Sequence, residues 1–471
     1  MNDHTRAGGD GPSTVRRWLA AIDDAPGPPV PTGPTISPRP STLAGPPIPT
    51  GTADCPCRDW ATSGAMSLTG HASGPPVLSP ASAVPLLRAA ASALQSLGAA
   101  LAHPVRVDPL ALLTGRAGAL GLTRHGRRSA GGATRLLRAA DGWCAVSLSR
   151  ADDLELLPAL LGRTDVDDPW RALTRAVRRM PAGDLAERAQ MLGIPAAGLP
   201  PAPSAPPTPW RVRRIAPSAR PVPGRRPLVV DLSSLWAGPL CADLLHQAGA
   251  RVIKVESTRR PDGTRNGKRL FYDWLHAGHE SVAVDFTTRE GRTALAALID
   301  AADVVIEASR PRALRQLGMA PEQRTHRPGK VWLAITGYGR AHPDRVAFGD
   351  DAAVAGGLVG WTGGEPVFCA DAVADPLTGL VAGLGALASL ATGGGHLIVV
   401  AMREVVAAFT GGPPLAAHTL HGDNSAWSVH CPRLRQTHAV RSPLPPQPRG
   451  SAAELGADTV RVLDEVAASR R

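Results

Sequence analysis

Between residues 227 and 412, short apolar runs alternate with longer stretches whose apolar positions recur at helical spacing. The runs 228–232, 252–255, 281–285, 304–307 and 331–336 read as buried strands, and 239–247, 289–301 and 313–317 as the helices between them. This alternation predicts βαβ units, so the fold class is α/β with a doubly wound, Rossmann-like parallel sheet. Residues 125–200 predict a second, smaller α/β domain. There, Asp141-Gly142 separates the apolar stretches 136–139 and 143–148 as a hairpin turn would, and helical patterns follow at 151–161, 170–177 and 182–191. Residues 53–124 form a helical segment with periodic stretches at 85–101 and 110–122, and an amphipathic helix at 459–468 closes a Pro-rich tail that begins at 413.

Proline and glycine sharpen these boundaries. The 47 Pro and 50 Gly are unevenly placed, and 26–51 and 200–223 are Pro-rich tracts. Hence residues 1–52 are expected to be a disordered leader with one short helix at 15–22, and 201–226 a linker. An internal echo also runs through the chain: the segment 61–97 repeats the order of Gly, Thr-Gly and Pro-Val found in 353–390, with Val84-Pro85 standing where the second copy has Asp375-Pro376. The 53–124 segment is therefore a candidate partial, degenerate copy.

The formal charge of +11 is carried by Arg, with Lys only at 254, 268 and 330. Such a surface favours polyanions or phosphorylated small molecules. Scattered arginines and 4% aromatics provide no stacking platform, so no nucleic acid is expected. The six cysteines include one close pair, Cys55-Pro56-Cys57, with no second pair or suitably spaced histidine to make a zinc site; they read as reduced thiols, and no metal is expected. The N-terminus lacks a signal pattern and the longest apolar run is too short to span a bilayer, which predicts a cytoplasmic protein without a membrane association.

Candidate chemistry centres on Asp375. With Pro376 after it and a small apolar run up to the Gly393-Gly394-Gly395 triplet, it reads as the N-cap of a helix, where the positive helix end would keep a carboxylate ionised. A capping role and a nucleophilic role both fit those residues. The turn Ser233-Ser234-Leu235-Trp236-Ala237-Gly238, between a strand and a helix, is placed to offer backbone N–H groups to a phosphate. It lacks the G-x-G-x-x-G spacing of dinucleotide sites, although Glu256 sits where a ribose-binding acid would.

Several motifs in register carry a resemblance: VVDLSSLWAGPLCADLLHQAGARVIKVES, HAGHESVAVDF, REGRTALAALIDAADVVIEASRPRALRQLG, AITGYG and ADPLTGL. Together they resemble the class III CoA-transferases, the CaiB/BaiF family that includes formyl-CoA and carnitine CoA-transferases. Residues 125–200 look like that family's small domain, placed first here, as in a permuted chain or a fused pair whose first member is degenerate. The resemblance implies an acyl-CoA:carboxylate CoA-transferase that holds no permanent cofactor, takes a coenzyme A thioester and a carboxylic acid acceptor as substrates, and forms a homodimer. It places Asp375 as the nucleophile that becomes an aspartyl-CoA thioester. Leu235, Trp236, Ala237 and Gly238 would border the CoA, and Arg259, Arg265 and Arg310 would meet its phosphates. Gly356-Gly357 and Gly363-Gly364 would offer oxyanion donors. His279 stands in HAGHES, where relatives often carry a phosphate-facing Lys. The α-methylacyl-CoA racemases of the family use a Gly-His-Asp segment, for which this chain has Gly349-Asp350-Asp351, so CoA transfer is expected rather than two-base proton transfer. The alternative is a catalytically degenerate CoA-binding or interaction protein.

Overall fold

The structure, a computed structural model, describes residues 11–25, 56–78, 83–164, 166–201, 208–220, 222, 224–410, 418–423, 426–432 and 434–469. In chain order, helices α1 (Gly11–Asp23), α2 (Pro56–Thr62), α3 (Ala83–Ala100) and α4 (Pro109–Leu120) come first. The small sheet has strands β1 (Thr134–Arg138), β2 (Trp143–Ser147) and β3 (Ala196–Gly198), enclosing α5 (Ala151–Glu155), α6 (Leu157–Leu161), α7 (Pro169–Val177) and α8 (Ala182–Met191). Strand β4 (Trp210–Arg214) leads into β5 (Leu228–Asp231), α9 (Ala237–Gln247), β6 (Arg251–Ser257), α10 (Arg269–His276), β7 (Glu280–Val284), α11 (Arg289–Ala301), β8 (Val304–Glu307), α12 (Pro311–Gln316) and β9 (Val331–Thr336). Then follow α13 (Gly349–Ala355), the hairpin β10 (Val359–Thr362) and β11 (Glu365–Phe368), α14 (Ala374–Ala391), β12 (His396–Ala401) and α15 (Met402–Thr410). A last sheet of β13 (Thr419–Gly422), β14 (Trp427–Cys431) and β15 (Gln436–Ala439) precedes α16 (Thr459–Ala468).

The seven-stranded sheet has the order β4-β12-β9-β8-β5-β6-β7, parallel throughout except for β4. Its strands bury both faces, so they read as continuous apolar runs rather than alternating ones. Val229, Val304 and Leu333 point into one core with α1, α3, α9, α14 and α15, while Val230, Val305 and Trp332 point into the other with α11 and α16. This is the doubly wound α/β fold expected from the pattern. The strand order reverses between β5 and β8, and the carboxyl ends of strands flanking such a switch are where ligands bind in open α/β sheets.

Four expectations differ from what is observed. The short helix expected at 15–22 runs over 11–23 and belongs to the core rather than to a disordered leader, because Val15, Trp18, Leu19 and Ile22 share one face and all are buried there. Trp18 meets Trp210 edge-on at 6.1 Å and Phe409 at 6.0 Å. The tract 26–51 lies outside the described residues. The linker 201–226 contributes β4, whose alternating Trp210-Arg211-Val212-Arg213-Arg214 suits an edge strand with one wet face. The expected helix 151–161 divides into α5 and α6 at Leu156, since Pro158 removes a donor from the turn. Part of the Pro-rich tail pairs as β13 to β15.

The internal echo has a structural counterpart. Helices α3 and α14 are each 18 residues long, and Val84-Pro85 occupies the same place in the first as Asp375-Pro376 in the second. Each follows a tight antiparallel pairing, the Gly70–Pro76 bridge in one and β10–β11 in the other, and the two helices pack together. Helix α14 is long and apolar enough to cross a membrane, and its burial as the central helix of the core accounts for that composition.

Candidate active site

Asp375 lies in the first turn of α14, one residue beyond the first helical position, and is not that helix's N-cap; Val373 holds the N-cap place. The helix begins at Ala374, two residues earlier than the Asp-Pro signal suggested, because Asp375 N–H already bonds back to Ala372 O at 2.9 Å. Asp375 is half-buried, its carboxyl packed against Gly349 and the start of α9. Helix α9 points its start at this carboxyl. It has no side-chain cap, and the Ala237 N–H left over there donates to Asp375. A Cβ on Gly349 would stand 2.2 Å from Asp375 Oδ2 and 2.4 Å from Ala372 O, so only glycine admits the carboxyl where α13 begins.

Three more carboxyls share the site. Arg116 of α4 donates from one nitrogen, Nη1, to both oxygens of Asp371, at 2.7 and 2.8 Å. Asp350 accepts from Ala372 N–H at 3.0 Å and from the Thr134 hydroxyl at 3.3 Å, and Ser129 also bonds it. Asp351 accepts from Phe348 N–H at 2.9 Å, its second oxygen buried and unpartnered. The Ser129-to-Gly132 loop of the small domain covers this cluster, with Gly131 beside Arg116 and Asp371.

Burial raises the Asp375 pKa to about 7, with Arg116 and the Ala237 N–H opposing it and Asp350 and Asp371 reinforcing it. The helix end therefore does not keep this group fully ionised: desolvation is the larger effect. Burial likewise lifts Asp371 to about 6 against Arg116, and raises Asp350 and, further, Asp351. Burial opposes the Arg116 charge too, but Asp371, Asp350 and Asp375 outweigh it and hold that guanidinium above its ordinary value. One cation among four carboxyls tunes them collectively. The backbone here is strained as well: Leu235, Ala370 and Ala372 have φ of +71°, +55° and +42°, a region alanine and leucine seldom enter.

The turn after β5 lies beside Asp375, as expected for Leu235, Trp236, Ala237 and Gly238. Its shape is fixed from below. Leu235 N–H donates to Asp262 at 3.1 and 3.2 Å, Lys254 bonds Ser233 O and pairs with Asp262 at 3.2 Å, and Asp231 accepts from Ser233 N–H at 2.9 Å. Trp236 is buried, edge-on to Phe271 at 5.6 Å and 6.0 Å from the Arg116 guanidinium carbon.

The other sequence candidates are placed differently. Arg265 is tied to Glu256 at 2.6 Å and lies 4.6 Å over the Tyr272 ring, which also takes Glu256 away from any ribose. Arg259 is exposed and pairs with Asp285 at 2.8 Å. His279 is buried, edge-on to His246 at 5.2 Å and His276 at 5.7 Å, with neither ring nitrogen bonded. Burial drives its pKa well below 6.5, so at neutral pH it carries no charge for a phosphate. Arg310, past the end of β8, has Arg312, Arg150 and Arg260 around it; burial and these cations lower its pKa, with Asp344 the opposing acid. Gly363 and Gly364 form the two-residue turn of the β10–β11 hairpin, at φ of +56° and +78°, and Gly356 packs on Val406. They serve turn and packing rather than the carboxylate cluster. Sequence reading passed over Arg116, Ser129, Thr134 and Asp371.

Residues 227–430 match the family model described as CoA-transferase family III. Succinyl-CoA–D-citramalate CoA-transferase of Chloroflexus aurantiacus is 31% identical over 197 residues, covering 38% of this chain and 49% of the relative. Succinate–glutarate CoA-transferase of Agrobacterium fabrum is 30% identical over 246 residues, 44% of this chain and 62% of the relative. Formyl-CoA:oxalate CoA-transferase of Escherichia coli is 30% identical over 195 residues, 38% and 47%. Among solved structures, Rv3272 from Mycobacterium tuberculosis covers 40% of this chain and 55% of its own at 30% identity and a TM-score of 0.36. A CAIB/BAIF family protein from Brucella suis covers 43% and 64% at 25% identity and a TM-score of 0.39. The chain thus spans about half the length of the curated relatives it matches. The motifs and the matched model agree, and residues 227–430 are those that match CoA-transferase family III.

Proposed function

We propose that this chain transfers coenzyme A between an acyl-CoA and a carboxylic acid, with Asp375 as the covalent nucleophile. The observation that carries the reading is the Asp375 carboxyl itself, which is shielded from water, faces the open start of α9 and has a pKa near neutrality. Its carboxylate attacks the thioester carbonyl and expels CoA thiolate, giving a mixed anhydride. The thiolate then attacks the aspartyl carbonyl and releases the donor acid, leaving an aspartyl-CoA thioester. The acceptor carboxylate attacks that thioester to give a new anhydride, and CoA thiolate attacks its acyl carbon, restoring Asp375. The Ala237 N–H is positioned for the charge that develops on oxygen. The arginines about Arg310, at the carboxyl ends of the parallel strands, suit the CoA phosphates. No cofactor is needed beyond the substrate thioester, and a cytoplasmic setting and a homodimer belong to the same reading.

The test is intact-protein mass spectrometry after incubation with a panel of acyl-CoAs and hydroxylamine, which converts an activated aspartyl carbonyl to a hydroxamate. A wild-type adduct mapping to Asp375 and lost in Asp375→Ala is the expected result. In the same panel Arg310→Gln is expected to weaken CoA binding on the order of tenfold, the value of one charge-assisted contact. CoA bound with no adduct from any donor would favour a degenerate CoA-binding protein. That second reading has its own support, since Arg265 and Arg259 are both paired with acids and His279 is uncharged.

A further inference from the structure

The last sheet has almost no core of its own. Strands β13 and β15 are largely solvent-facing, and across the three strands only Val429 and Cys431 are fully buried. Three short strands with so little apolar burial are marginal by themselves. Yet they pack against α2, some 360 residues away in sequence by the positions of Cys57 and His418 (418 − 57 = 361). At that junction lie Cys57, the second residue of α2, Cys431, the last of β14, and His418, just before β13. Their two sulfurs and a ring nitrogen all lie within 4.8 Å of one another, and both cysteines are buried and outside any disulfide.

We propose that Cys57, His418 and Cys431 bind one Zn²⁺ as a structural site. Two thiolates and an imidazole are the donor set zinc prefers, and tetrahedral zinc with Zn–S of about 2.3 Å and Zn–N of about 2.0 Å puts its ligand atoms about 3.5–3.8 Å apart. The observed cluster closes to that size with small side-chain adjustments. The fourth position goes to water or to a further donor. Binding would release the two thiol protons and clamp α2 to the sheet. Helix α4 is tied to the end of α2 through the Thr114 hydroxyl, which donates to Ser63 O at 2.7 Å, so the clamp also steadies the helix that carries Arg116. Sequence spacing hides this set because its members are scattered over the whole chain. Among the described residues it is the one group of three or more such donors that converges closely enough for a metal.

The full chain, purified without chelator after growth with added zinc, is to be assayed by elemental mass spectrometry. About one zinc per chain is expected. Mercurial titration of the thiols should release it stoichiometrically, and Co²⁺ exchange should give the intense thiolate-to-cobalt charge-transfer band. Both readouts use wild-type protein and so do not depend on a variant folding. Cys431→Ser and His418→Ala are expected to lose the metal, and chelator is expected to lower the melting temperature of wild type but not of these variants. Metal at background level in the wild type, a Cys57–Cys431 disulfide found by peptide mapping, or full zinc content in the Cys57→Ser/Cys431→Ser double variant would each overturn the proposal.

Discussion

At Asp375 reactivity and stability pull in opposite directions. In the fold the carboxyl keeps its proton up to about pH 7, against an ordinary 3.8. A carboxyl raised in this way lends its stability in acid and loses it as pH climbs toward 7, while nucleophilic attack requires the ionised form. The expected rate with acyl-CoA therefore rises through pH 7 and levels above it. Asp375→Asn, which cannot ionise, should melt on the order of a few degrees higher than wild type at pH 8 and not at pH 4. An equal difference at both pH values would mean the carboxyl is unperturbed. Arg116→Gln removes the cation that opposes the shift, so the rate profile is expected to move up by about one pH unit; an unmoved profile with lower stability would reduce Arg116 to a structural ion pair. The sequence exposed Asp375 because Asp-Pro before an apolar run is a local signal. Arg116 gave none, being one arginine in a basic chain that meets Asp371 across 255 positions.

At the scale of elements, legibility follows how local the cause is. The parallel strands and the helices between them were readable because burial on both faces of a sheet writes continuous apolar runs into the chain. The strands β4, β13 and β15 were not, since edge and exposed strands carry little apolar signal and gain their pairing from partners far away in sequence. Helix α1 lies between these cases: its periodic face was visible in 15–22, but the core that receives it, formed by α3, α14 and Phe409, was not. Trp18→Ala is expected to cost about 3–5 kcal/mol, as for other large-to-small changes in cores. Denaturant unfolding measures this, and a cost below about 1 kcal/mol would mean that α1 is a dispensable strap.

For the whole molecule, the candidate site draws on distant parts of one chain: Arg116 from α4, Ser129 and Thr134 from the small domain, Asp350 from α13 and Asp375 from α14. Only the last two lie within the family-matched residues. The homodimer implied by the resemblance is to be checked by light scattering; twice the chain mass of 48.8 kDa is the expected result, and a clean monomer would remove the homodimer from the reading. Assembly is not needed to complete the carboxylate cluster.

The paired helices α3 and α14 have a consequence for inheritance. When two equivalent helices belong to identical subunits, every mutation is made twice, and neither can lose a reactive group without the other. Here they are encoded separately, so Val84 can sit at the place of Asp375 without any loss at α14. The first helix is left as scaffold, with Leu86, Leu87 and Leu94 buried in the core that also holds α14.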